Sequence, residues 1–376
     1  MPPDPAFTNT STPSELRRIA ERDYEQKPWA LWGSYLPERQ WGTVREDYSA
    51  DGDAWRSFPH DHARSRTYRW GEDGLLGICD EQCRLCFSLA LWNGQDPILK
   101  ERPFGLGNPE GNHGEDIKDY YYHLANTPTH SFMRGLYKYP QAAFPYEQLV
   151  EENSRRGRDQ DEYELVDTGI FDQGRYFDVW IEYAKASPTD LLIRIKVVNR
   201  GSDPAPLTLL PTLWLRNTWG WGYPDESPQS MQLEGDRLVT GDIPHLGAYV
   251  MECEQPGPWL FTDNETNQQR LYGQANPTPY QKDGFHRYLI EGESGAINPS
   301  QCGSKAARQL QHTLQPGEEW QVNLRLRSAD QASHSAFGHA FADLFAERGG
   351  DRRRISLACS RIFIGGAIGR HSSWPK

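Results

Sequence analysis

The stretch YFDVWIEYAKASPTDLLIRIKVVN (Tyr176–Asn199) decides the fold class. In its first half, Phe177, Val179 and Ile181 alternate with residues that would face the opposite side of a strand. The second half repeats this alternation less cleanly from Leu191 to Val197. Period-two alternation is typical of a strand with one buried face. The stretch therefore predicts two neighbouring, half-buried strands.

Runs of similar character lie on both sides of this stretch and are separated by turns rich in Gly, Asp and Pro. The predicted strands are Thr67–Trp70, Leu75–Cys79, Arg84–Trp92, Ile98–Phe104, Tyr120–Leu124, Phe132–Tyr139, Glu162–Thr168, Tyr176–Ala184, Leu191–Asn199, Leu207–Thr218, Arg237–Thr240, Ala248–Cys253, Trp259–Thr262, Phe285–Ile290, Lys305–Leu314 and Glu319–Arg327. Many short strands with few helices predict a mainly β chain that forms a large two-sheet antiparallel β-sandwich.

The same patterns divide the chain. Residues 1–36 form an N-terminal tail and a short helix that starts at the capping box Thr12-Pro13-Ser14-Glu15. The sandwich spans residues 37–330, with an inserted loop and helix region at 105–156 whose helix runs from about Pro145 to Arg156. Residues 331–348 begin a linker helix, predicted over Ser335–Arg348 from its phenylalanines on one face.

Composition excludes some classes of function. The 376 residues carry a formal net charge of −12, which is the opposite of the basic surface that nucleic acids require. No signal pattern and no apolar run long enough to span a bilayer is found, so we expect a cytoplasmic protein. The only cysteine cluster, Cys79, Cys83 and Cys86, lacks a second Cys/His pair in register and is interpreted as structural. No cofactor and no nucleic-acid or membrane partner is therefore expected.

The stretch from Glu38 to Trp70 combines charged residues with many aromatic residues. Its central loop, Asp47–Asp53, is flanked by Trp41, Trp55, Phe58 and Trp70. Flat rings cover the apolar face of a sugar and charged groups satisfy its hydroxyls, so the stretch fits a polyhydroxylated ligand. A surface loop held by ion pairs fits the same residues.

Several runs resemble the N-terminal region of bacterial glucosidases of glycoside hydrolase family 63. They are ERQWGTVREDYSADGDAW, FPHDHARSRTYRWGEDG, ERPFGLGNPEGNHGEDIKDYYYHL (Glu101–Leu124), TPTHSFMRGLYKYPQAAFPYEQLVEENSRRGRD (Thr127–Asp159), FTDNETNQQRLYG (Phe261–Gly273) and Asn298–Ala307. The resemblance extends from about Glu21 to about Glu347. It implies the β-sandwich part of a glucosidase that hydrolyses α-linked oligosaccharides with inversion of configuration at the anomeric carbon.

In that family the catalytic pair lies on an (α/α)6 barrel, which is absent from this chain. The resemblance thus implies an oligosaccharide substrate and the barrel as docking partner, with no activity for this part alone, and leaves open whether the chain is an enzyme. The final run, GGDRRRISLACSRIFIGGAIGRHSSWPK (349–376), departs from the family pattern. It is interpreted as a frame-shifted or truncated gene end, poorly ordered and dispensable. A stand-alone carbohydrate-binding or interaction module is the main alternative, and a metal-dependent β-barrel enzyme is another.

No catalytic residue is assigned in this chain. The residues predicted to bind substrate or to dock the sandwich onto the barrel are Asp53, Trp55, His60, Asp61, Arg64, Asn112, His113, Glu115 and Asp116. His60 and His62 would share one face of a strand, but no glutamate follows at the spacing a metal site needs. Two aromatic sets remain open between sugar stacking and plain packing: Tyr120–Tyr122, where an ordinary strand is favoured, and Trp214, Trp219 and Trp221.

Overall fold

The computed structural model describes residues 14–36, 44, 47–71, 73–107, 109–111, 116–224 and 226–351, and the backbone alone at Asp116. Its strands are β1 Trp32–Ser34, β2 Leu75–Asp80, β3 Leu85–Trp92, β4 Gly105–Leu106, β5 Asp116–Ile117, β6 Tyr121–Asn126, β7 Phe132–Pro140, β8 Tyr176–Ser187, β9 Asp190–Asn199, β10 Ala205–Leu215, β11 Met231–Glu234, β12 Arg237–Thr240, β13 Tyr249–Cys253, β14 Trp259–Thr262, β15 Cys302–Gly303, β16 Lys305–Arg308, β17 Leu310–Leu314 and β18 Glu319–Ser328.

The helices are α1 Ser14–Tyr24, α2 Ala54–Ser57, α3 His60–Ala63, α4 Tyr146–Arg155, α5 Gln268–Tyr272, α6 Gly284–Leu289 and α7, residues 339–351. Short 3-10 helices span Leu165–Thr168, Asp172–Gly174, Trp219–Trp221, Ser294–Ala296 and Ala329–Gln331. Among the described residues, no helix is long and apolar enough to cross a membrane.

Two antiparallel sheets pack face to face. Within the described chain, the smaller has seven strands, ordered β1-β2-β3-β10-β16-β14 with β17 also paired to β10. The larger has nine, ordered β15-β11-β12-β13-β18-β9-β8-β7-β6. The stretch Tyr176–Asn199 forms the β8–β9 hairpin near the middle of the larger sheet. The predicted two-sheet β-sandwich is confirmed.

The core lies between the sheets and follows the predicted alternation. Phe177, Val179 and Ile181 of β8 are almost fully buried and join one apolar cluster with Phe87 of β3 and Leu213 of β10. Trp180 and Glu182 lie on the other face of β8, where they are only partly buried. Burying this apolar area between the sheets is the main stabilising contribution to such a fold.

Two predicted strands are helices. At Glu162–Thr168, the Glu164 backbone N–H donates to the Asp167 carboxylate at 2.8 Å, and the turn ends at Gly169 with φ +74°. This local capping closes a 3-10 turn instead of a strand. At Phe285–Ile290 the chain forms α6, in which Arg287 donates back to the Asp283 carboxylate at 3.1 Å, one helical turn away.

The predicted strands Thr67–Trp70 and Ile98–Phe104 are also wrong, for a shared reason. Side chains take the backbone donors that a neighbouring strand would need. Thr67 N donates to Thr266 Oγ1 at 3.0 Å, and Phe104 N donates to the Asp119 carboxylate at 2.6 Å. Lys100 keeps one isolated bridge, to Leu91.

Both ends of the described chain meet at one buried ionic cluster. Glu15 of α1 accepts hydrogen bonds from Thr129 N at 2.8 Å and Ser131 Oγ at 2.5 Å, and from Arg18 Nε at 2.9 Å. Arg18 also donates to Asp351 of α7 at 2.7 Å, with both side chains buried. Helix α7 thus begins four residues later than predicted and continues past Arg348. Residues 349–351 therefore belong to α7, and residues 352–376 lie outside the described part. That the chain is dispensable from Gly349 stays a prediction.

Lys185 lies beside this cluster, and its buried ammonium should make the free energy of unfolding depend on pH. Its ammonium donates to Trp29 O at 2.5 Å and Trp32 O at 2.6 Å, and burial lowers its pKa to about 7. The unfolded chain keeps the ordinary lysine pKa, near 10.4. Between these values the unfolded state binds more protons, so the free energy of unfolding should rise with pH, by up to about 1.4 kcal/mol per unit.

We expect Lys185→Met to reduce this slope in urea unfolding measured at about pH 7, 8 and 9. Lys282, whose pKa burial lowers to about 8, adds a slope of the same sign in both proteins. An equal slope with and without Lys185 would contradict the assignment.

Candidate functional site: an aromatic cleft at the sheet edge

A cleft of about 450 Å³ opens at one edge of the seven-stranded sheet. Strands β10 and β14 both pair antiparallel with β16, so they run in the same direction and end at this edge. We call it the Trp221 cleft. It is lined by Tyr48, Arg66, Thr67, Tyr68, Arg69, Asn217, Gly220, Trp221, Tyr223, Glu265, Thr266 and Gln268.

The segment after β10 places an aromatic pair at the rim. Asn217 donates to Asn264 O at 2.8 Å and accepts from Gly220 N at 2.8 Å, which fixes the start of the 3-10 turn. Gly222, with φ +79°, ends that turn where an L side chain would be strained. As a result Trp221 is 37% exposed and Tyr223 is 58% exposed.

Guanidinium groups flank the rings of this rim. The Arg69 guanidinium lies 5.3 Å from the Trp221 ring centre and 5.6 Å from that of Trp70. Arg216 lies 5.0 and 5.1 Å from the same two rings and donates to Arg69 O at 3.0 Å. Trp70 is anchored through its Nε1, which donates to Asp47. Each of these cation–π contacts contributes about 0.5–1 kcal/mol at an exposed site.

Glu265 is the acidic residue among the described residues that line the cleft. Its carboxylate accepts a hydrogen bond from Trp219 Nε1. On the opposite wall, Arg66 lies over the rings of Tyr48 at 4.6 Å and Phe58 at 5.0 Å. Burial raises the pKa of Tyr48, so its phenol is neutral near pH 7.

A buried ionic group underlies the cleft. Asp73 accepts from Arg102 at 3.1–3.2 Å and from Lys282 at 2.9 Å, and Lys305 donates to Glu101 at 2.6 Å. Despite complete burial, Arg102 and Lys282 hold the pKa of Asp73 below its ordinary value. Lys282 also donates to Ala63 O and Arg66 O, and so fixes the chain that carries the arginine wall.

The residues predicted from the Glu38–Trp70 stretch are built into the support of the cleft. Trp55 is 5% exposed and joins Phe58, Ala63 and Tyr68 in a small apolar cluster, and Asp53 caps α2 by accepting from Arg56 N at 3.0 Å. The Trp55 ring is therefore not available for stacking on a ligand.

The remaining members of that prediction lie further from the cleft. His60 packs against Phe104 and Tyr146, and burial holds its pKa well below the ordinary value. Asp61 bonds Arg64 at 2.8 Å and Arg270 at 2.6 Å.

Asn112, His113 and Glu115 lie outside the described residues, and Asp116 is described only as a backbone partner of Leu106 in the β4–β5 pair. A substrate or docking role for this set stays a prediction.

The structure shows which of the two aromatic sets is packed in the fold and which residue faces the cleft. Trp214 is buried and donates to Gly71 O at 2.9 Å, Trp219 is partly buried on Glu265, and Trp221 faces the cleft. Tyr121 and Tyr122 belong to the edge strand β6, as an ordinary strand predicts, and Tyr120 stacks on Phe171. Sequence reasoning missed Tyr223, Glu265 and the arginines as a site, although Glu265 lies in the run FTDNETNQQRLYG.

The histidines and cysteines that were considered as metal ligands do not form a metal site among the described residues. His60 and His62 lie on helix α3 rather than on a strand, so the assumed strand geometry does not apply. Within the described part of the chain, no group of three or more His, Cys, Asp or Glu side chains could hold a metal ion. Cys79 and Cys83 lie with their sulfurs 3.6 Å apart, and Cys86 is a buried residue of β3.

Comparison with known proteins gives one relative by sequence. No family model matches the chain. The uncharacterized protein YMR196W of Saccharomyces cerevisiae is 40% identical over 360 residues, which cover 86% of this chain and 33% of that protein. This chain thus spans about one third of the curated relative that it matches.

Solved structures with some similarity include a protein assigned as an aldose 1-epimerase from Escherichia coli K12, with 14% identity and a TM-score of 0.24, covering 55% of this chain and 67% of that chain. A polysaccharide lyase has 13% identity and a TM-score of 0.27, covering 69% and 27%. A galactose mutarotase-like protein from Lactobacillus casei has 10% identity and a TM-score of 0.24, covering 69% and 94%.

Proposed function

We propose that this chain is the sugar-binding β-sandwich part of a glucosidase-like glycoside hydrolase, and that the Trp221 cleft holds an α-linked oligosaccharide. The observation that carries the proposal is the pair of exposed rings, Trp221 and Tyr223, at the rim of a 450 Å³ cleft with polar walls. Exposed Trp and Tyr rings offer large apolar contact area at low cost in conformational entropy.

The polar walls supply the second half of sugar recognition. A pyranose presents an apolar face, which suits an indole ring, and a rim of hydroxyls, which need hydrogen-bond partners once desolvated. Gln268 provides both an acceptor and a donor in its amide, and Thr266 and Thr67 provide hydroxyls. The arrangement can therefore bind a sugar by stacking and by hydrogen bonds together.

The sequence resemblance supports the same class of ligand. The run FTDNETNQQRLYG contributes Glu265, Thr266 and Gln268 to the cleft, and the run from Phe58 to Gly74 contributes the arginine wall. Both runs resemble glucosidases of glycoside hydrolase family 63. Two separate parts of the resemblance thus meet at one site.

The cleft as described is suited to binding without hydrolysis. Glycoside hydrolysis requires two carboxyl groups placed on either side of the scissile bond. Of the described lining residues, Glu265 alone is acidic, and its carboxylate is engaged with Trp219. We propose that catalysis comes from a separate domain docked onto this sandwich, as the (α/α)6 barrel does in the family that the chain resembles.

We expect the purified chain to bind maltotetraose in a calorimetric titration and to release no aryl leaving group from an aryl α-glucoside. Trp221→Ala should weaken binding about tenfold, because it removes a stacking contact of about 1–2 kcal/mol. Tyr24→Ala, at a tyrosine that is 53% exposed at the end of α1, is the matched control and should leave the affinity unchanged.

Equal affinities of Trp221→Ala and the parent chain would overturn the assignment of the cleft. Aryl α-glucoside turnover that persists through purification and is lost in Glu265→Gln would show instead that this chain is catalytic by itself.

A further inference from the structure

We infer that the saccharide bound in the Trp221 cleft is acidic, with a carboxylate, phosphate or sulfate group held by the guanidinium groups of Arg66 and Arg69. This inference rests on the function proposed above and names the chemical class of its ligand. Its basis is the kind of partner that these two arginines have in the structure.

Both guanidinium groups have aromatic rings as partners and line the open volume. Arg66 lies over Tyr48 and Phe58, and Arg69 lies near Trp70 and Trp221. Among the residues that the structure describes, no carboxylate forms an ion pair with either group. Both guanidinium groups thus line the cleft without direct ion-pair contact to a described carboxylate.

Other arginines close by do form ion pairs with carboxylates. Arg64 and Arg270 share the Asp61 carboxylate, and Arg102 is paired with Asp73 in the buried group below the cleft. The chain has 52 acidic residues against 40 basic ones, so carboxylates are abundant. Arg66 and Arg69 therefore differ from their neighbours, because they contact aromatic rings and not carboxylates. This leaves both able to bind an anion on a ligand.

Stacking prepares the two groups for such an anion. A guanidinium packed by its face on a ring keeps its N–H edge free, and this planar edge matches two oxygens of a carboxylate or phosphate. Arg216 is a third cation in this region, and it donates hydrogen bonds to Arg69 O and Gln82 O. It therefore holds the backbone of the arginine wall and adds to the positive potential.

Glu265 sets the orientation of the ligand. It is the anionic residue among the described lining residues, so the described lining carries two positive charges and one negative charge. An acidic saccharide would place its anion toward Arg66 and Arg69 and its neutral hydroxyls toward Glu265, which accepts hydrogen bonds.

The test compares three ligands of one length by calorimetric titration: maltotriose, its derivative oxidised at C6 to a glucuronate, and its derivative phosphorylated at C6. At an ionic strength of about 20 mM, at least one acidic derivative should bind about tenfold or more tightly than maltotriose, and the preference should shrink at about 0.5 M salt. The stronger of the two derivatives identifies the source of the anion.

Variants assign the preference to the arginines. Arg69→Gln, at an exposed position, and Arg66→Gln should each bring the ratio of neutral to acidic Kd toward one. Arg17→Gln, at an exposed arginine of α1, should retain the parent ratio. Thermal unfolding of each variant controls for folding, and Arg69→Gln keeps the test valid if Arg66→Gln is unstable.

Each outcome bears on the inference. Equal binding of maltotriose and both acidic derivatives overturns it and leaves the proposed function standing. Absence of binding by all three overturns both. A preference for an acidic derivative that survives both arginine variants also overturns the assignment to Arg66 and Arg69.

Discussion

Replacing Glu15 by alanine is expected to lower the free energy of unfolding by about 3–5 kcal/mol, because it removes one of the two carboxylates that pair with buried Arg18 and the acceptor of the buried Thr129 and Ser131 donors. Glu15 is fully buried, and its two oxygens bind Arg18 together with Thr129 and Ser131 of the β6–β7 turn. These hydrogen bonds outweigh the effect of burial and hold the pKa of Glu15 below its ordinary value. The side chain is therefore charged at neutral pH, and its removal leaves Thr129 and Ser131 without this acceptor and Arg18 with Asp351 as its remaining carboxylate partner.

The matched control is Glu25→Ala, just after α1, where the carboxylate is 60% exposed and pairs with Lys27. An exposed pair of this kind contributes little to stability, so Glu25→Ala should change the free energy of unfolding far less than Glu15→Ala. Urea unfolding of both variants gives the comparison. A loss below about 1 kcal/mol for Glu15→Ala would contradict the buried cluster that joins α1 to α7.

Trp55→Ala is expected to lower the free energy of unfolding by about 3–5 kcal/mol, the usual cost of emptying a buried tryptophan site. Trp55 is packed in the cluster that contains Phe58 and Tyr68, and it also lies against the chain at Gly107, where an added Cβ would come within 2.9 Å of it. The ring is enclosed by this packing, so its removal is expected to leave a cavity.

Trp221→Ala is the control for Trp55→Ala, since it removes the same side chain from an exposed position. It should lower the free energy of unfolding by at most about 1–2 kcal/mol, through the loss of its cation–π contacts with Arg69 and Arg216. Comparable losses in the two variants, or no loss for Trp55→Ala, would contradict the burial that distinguishes the two tryptophans.

The fold could be predicted because the signal for it is local. Alternation at Phe177, Val179 and Ile181 marks a buried face whatever lies elsewhere in the chain. Local apolar runs failed at Phe285–Ile290, because a short run fits a strand or a helix equally well. The contacts that hold this helix come partly from another element: Gly284 packs so closely on β14 that an added Cβ would lie 2.5 Å from Thr262 Cγ2.

The site could be predicted only in part, because its geometry is set by long-range contacts. Tyr48 and Arg66 of the Glu38–Trp70 stretch line the cleft, but composition could not show which residues of the stretch do so, nor that Trp55 is buried. The wall that contains Glu265, Thr266 and Gln268 is held against the arginine wall by long-range contacts. One example is the hydrogen bond from Asn267 N to Ser65 O at 2.8 Å, between segments about two hundred residues apart. Neither segment alone carries a sign of the other.

A crystal structure of the chain grown with maltotetraose would show where the saccharide binds. We expect a sugar ring stacked on Trp221, with hydroxyls within hydrogen-bond distance of Gln268 and Glu265. A saccharide bound at another surface, with the Trp221 cleft filled only by water, would contradict this expectation.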